Sequence, residues 1–333
     1  MAGSRFVRRG FPVALAAALL VACGGGDDEP AAEGGGTELS PDNPVSILVG
    51  NLPIPDNAPL FLAIQEGYFE EEGLEVQTQA VAGGSAALPA MVAGDLQFSS
   101  SNWTTVLQAA GQGLPVQMVW EMTGPKEGVN GIMVKGDSPA QTPADLRGQR
   151  VAVNTLAGLV ELQVRECMAA NGLQDGDYEL VEIPFPDMPA AVQQGNVAAA
   201  FIGEPFVTIA EDQGARSIAG PADCSERLAE MPVIGFMTTA QYSEENPEVV
   251  AAFARALERG AELAASDPQQ VLDILPTYTQ LTPELAARME LPAWLEDRAP
   301  STERAEVTME AMLDFGFIDE PIEDLDALVA PVD

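Results

Sequence analysis

The chain has 333 residues, of which 51 are acidic and 15 basic, giving a formal charge of −36. A surface so acidic excludes nucleic acid as a partner, because phosphate binding needs clustered Lys and Arg. Histidine is absent, which excludes a Ser-His-Asp triad, a Cys-His dyad and any His-ligated metal site; no metal and no cofactor is expected.

The first element is a signal peptide over residues 1–22. Arg5, Arg8 and Arg9 form a positive start, and residues 11–21 are apolar apart from Pro12. That run is too short to span a bilayer. It ends in Leu20-Val21-Ala22-Cys23-Gly24, which resembles a lipobox, so Cys23 is expected to carry a lipid. Loss of the three arginines takes the charge to −39. Residues 23–44 are rich in Gly, Asp, Glu, Ala and Pro and predict a disordered stalk with a reach of roughly 25 Å. The acidic bias, set against only Lys126 and Lys135 as lysines, fits a saline medium.

Beyond the stalk, short apolar strands alternate with helices. Residues 45–49 read as a strand and 51–59 as a loop. Pro59 starts a helix in which Leu60, Ile64 and Tyr68 share a face, and Gly67 and Gly73 are stops. A strand over 74–81, a helix over 85–93, a strand over 96–98, a helix over 103–110 and a strand over 116–120 follow. A second series begins after Gly131: strands end at Val153, Ile183 and Ile202, with helices over 159–170 and 187–194. This order implies mostly parallel sheets faced by helices. After a strand over 233–237 the rest reads as helical, with a long amphipathic helix from Pro247 and a last one over 301–315. Cys167 and Cys224 remain in the mature chain; they form either a disulfide, which export permits, or two separate buried thiols.

Several segments carry a family resemblance. Ala58-Pro59-Leu60 with Glu66-Gly67-Tyr68-Phe69, Gly94-Asp95 before a strand, residues 145–153 and Glu204-Pro205-Phe206 resemble the nitrate/sulfonate/taurine and thiamine-precursor class of solute-binding proteins. The resemblance covers residues 45–330. It implies an α/β, type II periplasmic-binding-protein fold: two α/β lobes joined by two hinge strands, with C-terminal helices packing on lobe one. Lobe one is then 45–128 plus 235–333, and lobe two 129–234. It also implies delivery of a small molecule to an ABC transporter permease; with the lipid on Cys23, the chain is expected to be a monomer anchored at the outer face of the cytoplasmic membrane.

In open parallel sheets, ligands bind at the carboxyl ends of strands. That criterion selects Asn51, Asp56, Asn57, Gly84, Ser85, Ser101, Asn102, Trp103 and Thr104 from lobe one. From lobe two it selects Asn154, Thr155, Asp187 and Glu204. Ser85 and Asp187 read equally well as helix caps. Trp103 reads either as a stacking platform or as core, and Glu204 as a ligand contact or a solvated hinge acid. These loops hold no Lys or Arg, so a neutral or amine-bearing solute, such as a pyrimidine-type vitamin precursor, is expected over nitrate, taurine or an alkanesulfonate. A pyrimidine-precursor synthase and a ligand-sensing partner of a membrane receptor are the rival classes.

Overall fold

The computed structural model describes residues 39–279 and 281–332; the signal segment, Cys23 and most of the expected stalk lie outside the described residues. The chain is already tied to the core at Leu39, which packs against the first hydrophobic cluster. Ser40 and Asn43 form a bridge.

The first half runs β1 (Val45–Asn51), α1 (Ala58–Gln65), α2 (Tyr68–Glu71), β2 (Leu74–Ala80), α3 (Gly84–Val92), β3 (Phe98–Ser101), α4 (Trp103–Gly111) and β4 (Val116–Gly124). Gly67 and Gly73, with φ of 75° and 76°, take the left-handed conformation that ends each helical run at little steric cost. The chain then crosses to a second sheet, made from β5 (Asn130–Lys135), β6 (Arg150–Val153), α5 (Leu159–Ala170), β7 (Glu179–Glu182), α6 (Met188–Gln193), β8 (Ala199–Gly203), α7 (Phe206–Asp212) and β9 (Ala215–Ala219). Two short helices, α8 (Pro221–Cys224) and α9 (Glu226–Glu230), carry it back to β10 (Ile234–Thr239). The remainder is α10 (Ala240–Glu245), α11 (Pro247–Ser266), α12 (Pro268–Tyr278), α13 (Pro283–Ala286), β11 (Ala293–Trp294) and α14 (Thr302–Asp314). None of the described helices is long and apolar enough to cross a membrane.

The strand orders are β11-β4-β10-β3-β1-β2 and β7-β6-β8-β5-β9. Parallel pairing holds for β1 with β2 and β3, and for β6 with β7 and β8. The returning strand β10 inserts antiparallel between β3 and β4, and β5 lies antiparallel to β8 and β9. Both sheets are therefore more mixed than the alternating element order implies. The serines expected in a loop after Phe98 belong to β3, where Ser99, Ser100 and Ser101 are each 0% exposed and pair with Met237, Phe236 and Gly235. The C-terminal region is not wholly helical either, since β11 adds a short edge to β4.

Inner strands such as β4 and β8 are buried along nearly their whole length and read as largely apolar runs, whereas the edge strands β2 and β7 are more polar and partly exposed. On the second sheet, Val151 and Val153 pack toward α5, while Ala152 between them packs toward α6 and α7. In the first, α11 lays Phe253 flat on Phe98, with centroids 3.9 Å apart and planes at 8°, and edge-on to Phe236. Gly260 of α11 meets the Pro59 carbonyl so closely that a Cβ there has no room; that is how the C-terminal helix seats against α1.

Cys167 and Cys224 form a disulfide, with Cα atoms 4.9 Å apart and a separation of 57 positions in sequence. It joins α5 of the second sheet to α8 in the return crossing. Replacing both cysteines with Ala is expected to cost about 4 kcal/mol on the loop-entropy account, read by urea denaturation without reductant; an unchanged midpoint would contradict it.

Candidate ligand-binding site

The two sheets face each other across a cleft holding a cavity of about 100 Å³. At roughly 10–15 Å³ per water position, this accommodates a single-ring solute with a short substituent. Three helices begin at its walls: α3 at Gly83, α4 at Asn102 and α5 at Gly158. Gly84 belongs here for a steric reason. A Cβ on it would collide with the Ser101 hydroxyl, so only glycine lets α3 approach β3 and α4 so closely.

The side that belongs to the first sheet supplies Asp56, held in the turn between β1 and α1. Its Oδ1 accepts a hydrogen bond from the Thr123 hydroxyl at 2.7 Å, and it is 8% exposed. Burial pushes its carboxyl above the usual range, with the Thr123 hydrogen bond only partly opposing this. Asn57, next to it, is a structural pin: Nδ2 donates to the Leu52 carbonyl and Oδ1 accepts from Ser100. Asn102 caps α4 by accepting from the Thr105 amide. Ser85 and Thr105 place hydroxyls 3.5 Å apart at the same wall. Ser85 does not cap α3, whose cap residue is Gly83.

From the second sheet comes Glu204, at the end of β8 and 5% exposed. It accepts from the amide and hydroxyl of Thr208 at 3.1 and 2.7 Å, and from the Glu290 amide at 3.4 Å. Burial raises its pKa too, outweighing the Thr208 hydrogen bonds. Two aromatic rings, Phe185 and Phe206, lie nearly parallel at 13° with centroids 6.0 Å apart, and both line the cavity. No lining residue is Lys or Arg.

Of the residues selected from sequence, Asp56, Gly84, Ser85, Asn102, Asn154, Thr155 and Glu204 line this cavity. The structure moves the others elsewhere. Trp103 is 1% exposed, sits in the second core cluster and donates its indole N–H to Glu121, so it is not a stacking platform. Asn51, Asn57, Ser101 and Thr104 are buried behind the wall. Asp187 is exposed, and its side chain makes no capping hydrogen bond. Phe185 and Gln163 escaped the sequence criterion, because one lies in a 3-10 turn and the other inside a helix.

Several contacts cross between the two sides of the cleft. The Gln108 side chain of α4 donates to the Ala157 carbonyl at 2.7 Å. Arg288 forms an ion pair with Asp212 of α7. Arg227 in the return crossing bridges Glu166 of α5 and Asp314 of α14.

Residues 54–271 match the NMT1/THI5-like family. The chain belongs to that family. A formylaminopyrimidine-binding protein from Halalkalibacterium halodurans is 27% identical over 224 residues, or 66% of this chain and 65% of the relative; the chain thus matches somewhat under two thirds of that relative's length. A 4-amino-5-hydroxymethyl-2-methylpyrimidine phosphate synthase of Saccharomyces cerevisiae is 21% identical, over 67% of this chain and 68% of the synthase. The alkanesulfonate-binding protein from Xanthomonas axonopodis pv. citri, solved with MOPS bound, superposes with a TM-score of 0.72 at 18% identity, covering 86% of this chain and 98% of that one. That likeness establishes the fold, the type II periplasmic-binding-protein architecture of two α/β lobes with C-terminal helices on the first.

Proposed function

We propose that this chain is the solute-binding lipoprotein of an ABC importer, and that its cleft takes a planar, amine-bearing heteroaromatic solute of the aminopyrimidine kind. The observation that carries the ligand class is the pair Asp56 and Glu204. Two buried carboxyls, one from each side of the cleft, face one cavity with no cation among its lining residues. Such a site gains from ligand N–H donors and repels anions. The Phe185 and Phe206 rings offer a flat apolar wall to a planar ring.

Closure works through the same residues. The ligand binds one lobe, the other swings over it, and the closed form, held by Gln108 and Arg288, is what the permease reads. The lipid on Cys23 tethers a monomer at the outer face of the cytoplasmic membrane and raises its effective concentration near the permease. We read the chain as a binder rather than a catalyst: it has no histidine, and its two cleft acids are held by Thr123 and Thr208 rather than paired with a base.

A second reading has one observation in its favour. The three helix N-termini at the cavity would attract a sulfonate or nitrate. A thermal-shift panel separates the two. At about 100 times Kd, formylaminopyrimidine is expected to raise the melting temperature by about 5 °C or more, with alkanesulfonates and nitrate inert. Stabilisation by the anions alone would overturn the reading.

A further inference from the structure

The second-sheet wall of the cavity contains a group that neither the fold nor the two carboxyls account for. Gln163 lies on α5 one turn after Leu159, and both line the cavity. Its side chain is 2% exposed, and its amide nitrogen has no hydrogen-bond partner among the described residues. Its helical neighbours at this depth are core: Leu162, Val164 and Cys167 are each at most 1% exposed. A core position normally takes an aliphatic side chain, because a buried amide left unpaired costs about 1–3 kcal/mol. The second unpaired group on this wall is an acceptor, Oδ1 of Asn154, from the loop that precedes α5.

We propose that Gln163 is a specificity-determining residue that donates its amide N–H to a carbonyl oxygen of the ligand, so that the solute is an amine-bearing ring carrying a formyl or amide group. Asp56, Glu204 and Asn154 Oδ1 are acceptors and take ligand N–H groups. None of these three recognises an acceptor; hydroxyls and helix N-termini at the cavity can also donate, but the Gln163 nitrogen is the lining side-chain donor that is buried without a partner among the described residues. A ligand with donors only would leave that nitrogen buried and unsatisfied. A ligand with the carbonyl satisfies it, and a site built around such a hydrogen bond rejects the analogue lacking it far more strongly than shape alone does. This assignment rests on the proposed ligand class.

Calorimetry with two probes, formylaminopyrimidine and the same pyrimidine without its formyl group, tests it on the wild-type protein and on Gln163→Leu. The wild type is expected to prefer the formylated probe by at least about tenfold. In Gln163→Leu that preference collapses to within about threefold, while the melting temperature without ligand holds or rises, because the unpaired amide is gone. A merely structural role would instead lower that melting temperature and weaken both probes alike, overturning the proposal. An undiminished preference in Gln163→Leu overturns it as well, with the ligand class intact. A wild type that binds neither probe overturns the ligand class, and this assignment with it.

Discussion

Asp56→Asn is expected to weaken an amine-bearing ligand by about 10- to 100-fold while making the ligand-free protein more stable at neutral pH. Both effects come from one buried carboxyl without a cation. The substitution preserves shape and the hydrogen bond from Thr123 but removes the charge that would face ligand N–H groups. The pH dependence follows from the raised pKa. A carboxyl raised in the folded state contributes stability that is fully present below its ordinary value of 3.8 and is lost as pH rises through the folded value. The asparagine variant lacks that loss. Its melting curve should therefore coincide with wild type in acid and lie above it toward neutrality, with a recovered stability of about 1–3 kcal/mol. Glu204 is raised for the same reason, so stability against ligand affinity is the expected exchange at both acids. An asparagine variant that is less stable at neutral pH and binds unchanged would contradict this account of the cleft.

A second large loss of stability, beside that at the disulfide, is expected behind the cavity lining, at Glu121. This β4 residue is 1% exposed and forms an ion pair with Arg304 of α14. It also accepts from the Trp103 indole and from the Ser301 amide at the cap of α14. Through it, the first sheet, α4 and the last helix share one anchor. Glu121→Ala leaves the Trp103 indole N–H unpaired and takes the counter-charge from Arg304, whose guanidinium keeps only its bonds to the Asp297 and Ala299 carbonyls; the expected cost is about 3–5 kcal/mol, or roughly 10 °C in melting temperature. Glu121→Gln retains acceptor capacity for Trp103 and should fall between. Chemical denaturation measures both; equal stability of Glu121→Ala and wild type would show that the C-terminal helix docks by apolar packing alone.

Elements with strong local periodicity were legible. The helix over 159–170 matches α5 residue for residue, and the polar start at Ser301 caps α14 by accepting from the Arg304 amide. Strands defined by distant pairing were not. β5 opens with Asn130-Gly131, which reads as a turn, and β9 is a short Ala-Arg-Ser-Ile-Ala segment with little apolar character. Only their antiparallel partners make them strands. The insertion of β10 between β3 and β4 joins residues more than a hundred positions apart, which no window of sequence contains.

The site divides in the same way. The rule that ligands meet strand ends finds Asp56, Asn102, Asn154 and Glu204, because each follows a strand directly or by a short turn. It also selects Trp103, whose ring turns into the core because α4 packs against α14. Gln163 and Phe185 lie where only the meeting of two sheets decides which face is cleft and which is core.

Calorimetric titration of the purified protein with formylaminopyrimidine and with an alkanesulfonate, from mildly acid to neutral pH, tests the central claim most directly. Ligand N–H donors favour the ionised forms of Asp56 and Glu204, so pyrimidine affinity should rise with pH through their raised range, with protons released on binding. An anion favours the protonated forms and would show the opposite slope. Tight pyrimidine binding that strengthens toward neutrality is the predicted result; an alkanesulfonate that binds more tightly, and increasingly so in acid, would contradict it.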